Sequence, residues 1–155
     1  MIDLSQFSAA RIASGAYISE LPELYALSKV IENNPAHRQQ SVFDHIVATL
    51  AHVESFFTDA GMPAEAHGYW QAYFGRQVTT LAEFDVLRIA AVAHDMAKGA
   101  TLITDATGST SSPGHEHVGA SLSYSFAEHF GASEVEKDRI YRMVLHHGFA
   151  AEMLN

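Results

Sequence analysis

Apolar residues recur along this chain at the three- and four-residue spacing of helices rather than the alternation of a half-buried strand. Leu21, Leu24, Leu27, Val30 and Ile31 predict an amphipathic helix from Glu20 to Ile31, ended by the Asn33-Asn34-Pro35 cluster. Ser41 is placed to N-cap a second helix, whose stripe is Val42, Ile46, Leu50, Val53 and Phe57 and which Gly61 and Pro63 end. His45 rides beside that stripe. Ala64 to Phe74, with Trp70, Tyr73 and Phe74, reads either as a helix or as a packed loop. Thr80 and Glu83 have the spacing of a capping box and open a run through Phe84, Leu87, Ile89, Ala90, Val92 and Ala93. That run is apolar nearly all round, which predicts the central and most buried helix.

Polar residues then arrive abruptly, as His94-Asp95-Met96-Ala97-Lys98-Gly99. Residues 100–114, rich in Thr, Ser and Gly, predict a loop long enough to suggest function. A helix from about His115 to Phe130 follows. Ser133 with Glu136 forms a second capping-box pattern, opening a last helix through Val135, Ile140, Met143 and Val144 to His146 and His147. No repeat, low-complexity tract or convincing strand pair is visible, so the expected class is all-α, a bundle of five to six helices.

With 155 residues, 48% of them hydrophobic, the chain can enclose one core, and residues 1–155 are expected to form one domain. Nine Lys plus Arg stand against eighteen Asp plus Glu, and the net charge of −9 is spread along the chain. That balance argues against an extended nucleic-acid surface. A small phosphorylated ligand held through a metal is still compatible with it, because a divalent cation reverses the local field. The absence of cysteine excludes disulfides, thiolate zinc sites and a Cys nucleophile, so any metal must sit on nitrogen and oxygen. The N-terminus has no signal-like start, and no apolar run approaches the ~20 residues that span a bilayer. A soluble, cytoplasmic protein without a membrane partner is the expectation.

Ten histidines are the anomaly of the composition. His94-Asp95 closes an apolar helix, where an ionisable pair costs several kcal/mol unless a partner such as a divalent metal compensates it. The alternative is a His capping the helix C-terminus while Asp95 pairs with Lys98. His45 faces inward or sideways from its helix; His115 and His117 open another; His146 and His147 end a third. Four segments each bring histidine to an element end or an apolar edge, a pattern that favours convergence on one site. His115-Glu116-His117 lacks the four-residue spacing of the zinc-protease helix, and neither a Walker loop nor a Gly-x-Ser-x-Gly elbow is present.

Four local words, Ser41-Val42-Phe43-Asp44-His45, Ala93-His94-Asp95-Met96-Ala97-Lys98, Gly114-His115-Glu116-His117-Val118-Gly119-Ala120 and Met143-Val144-Leu145-His146-His147, occur in the order used by the HD-domain metal-dependent phosphohydrolase superfamily. With Leu21-Pro22-Glu23-Leu24 and Asn34-Pro35-Ala36-His37, they resemble the HD domains of bacterial tRNA nucleotidyltransferases and poly(A) polymerase relatives, from about Gly15 to His147. The resemblance implies metal ligation by His45, His94 and Asp95, with His115 and one of the His146-His147 pair as further metal or phosphate contacts; His146 is taken as the ligand and His147 as a weaker, substrate-side candidate, though one helix position separates them and spacing does not decide which points inward. It makes Asp95 and Lys98 the catalytic candidates, Lys98 either holding a phosphate oxygen or bracing Asp95. Glu116 would orient His115, and His37 and Arg38 would line the mouth. His52, His67 and His129 match no motif position.

The implied reaction is hydrolysis of a phosphomonoester or a phosphodiester, cyclic ones included, of a nucleotide or small metabolite. The cofactor would be one or two divalent ions, Mn, Fe, Co, Ni or Zn suiting mixed N/O ligands better than Mg alone. Two departures stand out. The superfamily's final, distant Asp has no counterpart in residues Gly148 to Asn155, which implies a fragment or an incomplete site. The nucleotidyltransferase head with its paired aspartates is also absent, so nucleotide addition is not expected of this chain. The rival reading is a noncatalytic HD module that binds nucleotide or RNA, or packs within a larger nucleotidyltransferase-like protein.

Overall fold

In the computed structural model, residues 1–34, 39–56 and 63–148 are described. In chain order they form α1 (Ala9–Ala13), α2 (Pro22–Ala26), a 3-10 turn (Leu27–Lys29), β1 (Ile31–Glu32), β2 (Gln40–Ser41), α3 (Val42–Phe56) and α4 (Ala64–Phe74). α5 (Glu83–Ala93), α6 (Lys98–Thr101), β3 (Ile103–Thr104), β4 (Thr110–Ser111), α7 (His115–Glu128) and α8 (Glu134–Leu145) complete them. α5 packs against α3, α4, α7 and α8. Its Val86, Ile89, Ala90, Ala91, Val92 and Ala93 are all buried, and the alanines let neighbouring helices approach closely. The central position expected of this helix is therefore the one observed, and the fold is mainly helical. No helix among the described residues is long and apolar enough to cross a membrane.

Two short ladders accompany the helices, where the sequence showed no convincing strand pair. β1 pairs antiparallel with β2, and β3 with β4, each ladder only two residues long. Such short pieces carry no alternation to read; turn chemistry defines them instead. Asp105 Oδ1 accepts from the backbone N–H of Thr107 (2.8 Å) and of Ser109 (3.0 Å), and Gly108 takes φ +83°. Asn33 then ties this hairpin to β1, its amide donating to the Gly108 carbonyl at 2.8 Å. The supposed loop at 100–114 is thus partly a fastened hairpin.

The helix expected over 20–31 is broken up. Only Pro22–Ala26 is α-helical, because buried Leu21, Leu24 and Leu27 repeat every three residues and suit a 3-10 turn equally well. The chain then extends so that the Val30 carbonyl accepts from Val42 N–H at 2.9 Å. Ser41 caps α3 as expected, its Oγ accepting from Asp44 N–H at 3.0 Å, and Ala64–Phe74 proves helical. The expected ends of α3 at Phe57, Gly61 and of the first helix at Pro35 lie outside the described residues. The Thr80–Glu83 capping box does not form: Thr80 Oγ1 donates to Glu136 Oε2 instead (2.7 Å), and Ala82 precedes α5 without a side-chain cap. The Ser133–Glu136 box does form, and Glu136 serves both places at once.

Candidate metal centre

Four elements deliver imidazoles to Asp95. His45 lies in the first turn of α3 between buried Val42 and Ile46, close to the direction of the core. His94 caps the C-terminus of α5, and Asp95 occupies the turn that follows, only 2% exposed. His115 is the first residue of α7, after Gly114 at φ +74°, a left-handed conformation that glycine adopts without strain. α7 packs on this turn at Gly119, where a Cβ would stand in ordinary contact, 3.5 Å from the His94 carbonyl and 3.4 Å from Val144 Cγ1.

The two oxygens of Asp95 face different groups. Oδ2 lies 3.3 Å from His45 Nε2, 3.1 Å from His94 Nε2 and 3.0 Å from Lys98 Nζ; Oδ1 lies 3.2 Å from His115 Nε2 and 3.5 Å from His147 Nε2. The histidines also meet in pairs, with 3.3 Å between the Nε2 atoms of His45 and His94 and 3.2 Å between those of His115 and His147. Two side-chain groups capable of holding an ion result: His45, His94 and Asp95 in one, Asp95, His115 and His147 in the other.

Second contacts orient the rings. Nδ1 of His94 donates to the Ala91 carbonyl at 2.8 Å, that of His115 to Ser112 at 2.7 Å and that of His147 to Val144 at 2.6 Å. A carbonyl can only accept, so Nδ1 carries the proton and a neutral ring turns its Nε2 lone pair inward, the arrangement of a metal-ligating histidine. Neutral rings then leave lone pairs opposed at hydrogen-bond distance, and Asp95 Oδ1 is buried without an aligned donor. Ligands ~2.1 Å from one ion and ~90–110° apart lie ~3.0–3.4 Å from one another, so the observed separations fit a divalent ion between each pair. Burial pushes the Asp95 carboxyl up, but the close approach of His115, His147 and His94 outweighs it and holds the group far below the usual carboxylate range. At His147 burial works downward while Asp95 and the Val144 carbonyl raise the ring's pKa. Metal binding would displace such protons and weaken as pH falls.

His147, rather than the expected ligand His146, faces Asp95. Adjacent helical positions differ in direction by ~100°, and α8 ends at Leu145 with His146 as its non-helical cap; His147 follows buried Val144 by three residues while His146 is exposed. In metal-loaded protein, His147→Ala is expected to lose about one ion per chain and His146→Ala none, measured by elemental analysis. The reverse result would reject this assignment.

Lys98 is 6% exposed, with Nζ 3.0 Å from both Asp95 Oδ2 and Glu32 Oε2. Its place is that of the brace rather than of a phosphate contact, and the ammonium is shared between two carboxylates. Glu32 is the participant that sequence reasoning missed, since nothing local distinguishes a Glu at the edge of a two-residue strand. Glu116 Oε2 stands 3.4 Å from His115 Nδ1, beside the ring it was expected to orient. His37 and Arg38 lie outside the described residues. A cavity of about 510 Å³ opens at His45, His94 and His147, within the range of small-molecule sites. In comparisons with known proteins, no protein-family model and no curated protein matches the chain.

Proposed function

We propose that the chain is a metal-dependent phosphohydrolase of the HD type, acting on a phosphomonoester or cyclic phosphodiester. The observation that carries this reading is the set of four inward Nε2 atoms, two on each oxygen of one buried carboxylate, at the mutual spacing of ligands to two ions. Divalent metal, when bound there, would supply Lewis acidity for acidifying water and polarising the phosphoryl group. His45, His94 and Asp95 would hold one ion, and Asp95, His115 and His147 the other. Lys98, itself held by Glu32, would fix the Asp95 carboxylate in place. Hydrolysis then joins a water oxygen to phosphorus and breaks the bond to the ester oxygen, which leaves with a proton. With both oxygens engaged, Asp95 is a holding group and not the base.

Purified protein reconstituted with manganese is expected to bind one to two ions per chain, counted by elemental analysis, and to turn over members of a phosphomonoester and phosphodiester panel. Bound metal without turnover would point to the noncatalytic module, and absence of metal would reject the site altogether.

A further inference from the structure

The two oxygens of Asp95 stand in unlike electrostatic surroundings. Oδ1, buried and without an aligned donor, faces His115 and His147, whose rings are anchored at Nδ1 by the carbonyls of Ser112 and Val144. Oδ2 faces His45 and His94, and Lys98 Nζ as well, at 3.0 Å. That ammonium is the positive end of a buried ion pair, since Glu32 Oε2 is also 3.0 Å from it. Lys98 opens α6 and Glu32 lies on β1, so the pair is assembled from segments 66 residues apart. A buried ion pair adds little stability over apolar residues of similar volume. Its place against one oxygen of the shared carboxylate therefore has a reason other than stability.

We propose that the Lys98–Glu32 pair makes the two halves of the centre unequal: Asp95 Oδ1, His115 and His147 take their ion first, and the half formed by Oδ2, His45 and His94 fills only at higher free metal. The inference rests on the metal reading of this site. A cation arriving at Oδ1 meets a lone pair that no aligned donor occupies. A cation arriving at Oδ2 meets an oxygen whose charge Lys98 already offsets, and the ammonium held there by Glu32 repels it. His45 and His94 both line the cavity of about 510 Å³, so the half that fills last lies on the wall open to a ligand. Lys98 and Glu32 are thus positioning residues that make occupancy on the ligand side follow the free metal concentration.

Stepwise titration of the full chain with manganese, the free ion counted by electron paramagnetic resonance, tests this without turnover. Two steps at least about tenfold apart in Kd are expected. His147→Ala should abolish the tighter step and His45→Ala the weaker one; a single step must likewise vanish in His147→Ala and survive in His45→Ala. Lys98→Met combined with Glu32→Gln removes the ion pair without changing net charge. It should tighten the weaker step by about tenfold and leave the tighter one within about twofold. A pair that served only as a brace would instead weaken binding when removed, and that result would overturn the inference. Should the double variant not fold, the histidine variants still decide the order of filling. Equal steps, or loss of the tighter step in His45→Ala, would overturn the inference and leave the metal centre standing. Failure of the unmutated chain to bind manganese would overturn both.

Discussion

If the proposed metal centre forms, Asp95→Asn is expected to empty both halves of it at once, lowering bound manganese below about one-fifth of an ion per chain and the proposed hydrolase's kcat/KM by at least ~10²-fold. Every other ligand candidate touches one pair; Asp95 alone touches both, through Oδ2 to His45 and His94 and through Oδ1 to His115 and His147. An amide keeps the shape while replacing one oxygen with a group that has hydrogens and no ligand lone pair. The variant should fold, because Lys98 keeps its other carboxylate, Glu32 at 3.0 Å, and so is not left as an unpaired buried charge. Unchanged far-ultraviolet circular dichroism with lost metal is the expected pair of readings. A variant that retained two ions would remove Asp95 from the centre.

Glu136→Gln, far from that chemistry, is expected to give a large loss of stability. The side chain is fully buried, and Oε1 accepts from the N–H groups of Thr79 (3.0 Å), Thr80 (2.7 Å) and Leu81 (2.7 Å), while Oε2 accepts from Ser133 N–H (2.7 Å). Thus one carboxylate caps α8 and fastens the segment leading into α5. Whichever oxygen becomes NH₂, donors face a donor; a cost of about 3 kcal/mol corresponds to a fall of ~6–12 °C in Tm.

The same contacts give the pH dependence its sign. Burial pushes the Glu136 carboxyl up, but the hydrogen bonds from Leu81, Ser133, Thr80 and Thr79 prevail and hold it well below the ordinary range. A depressed pKa contributes stability above the unfolded value of ~4.3 and loses it as pH falls towards the folded one. The wild-type advantage over Glu136→Gln should therefore shrink below about pH 4.5 in urea titrations. Asp95 titrates in both proteins and cancels in the difference. A constant gap from pH 7 to 3 would exclude an ionised Glu136 as the source.

Local pattern was enough for the elements whose physics is local. The nearly continuous apolar run at 84–93 could only be a buried helix; Ser41 and the Ser133–Glu136 pair announced their caps because each bond spans three residues. Histidines at element ends singled out His45, His94, Asp95 and His115 before any geometry was known, since unpaired polar groups beside apolar helices need a reason to be there. Contacts between distant segments decided the remainder. Thr80 had two possible partners, and the carboxylate from 56 residues away took it. Glu32 meets Lys98 across 66 residues, and the choice of His147 over His146 depends on where the end of α8 meets the Asp95 turn. Sequence alone determined a helical chain with histidines concentrated at its helix ends; only the tertiary structure decided which of them meet at Asp95, because that depends on distances between segments that no local spacing encodes.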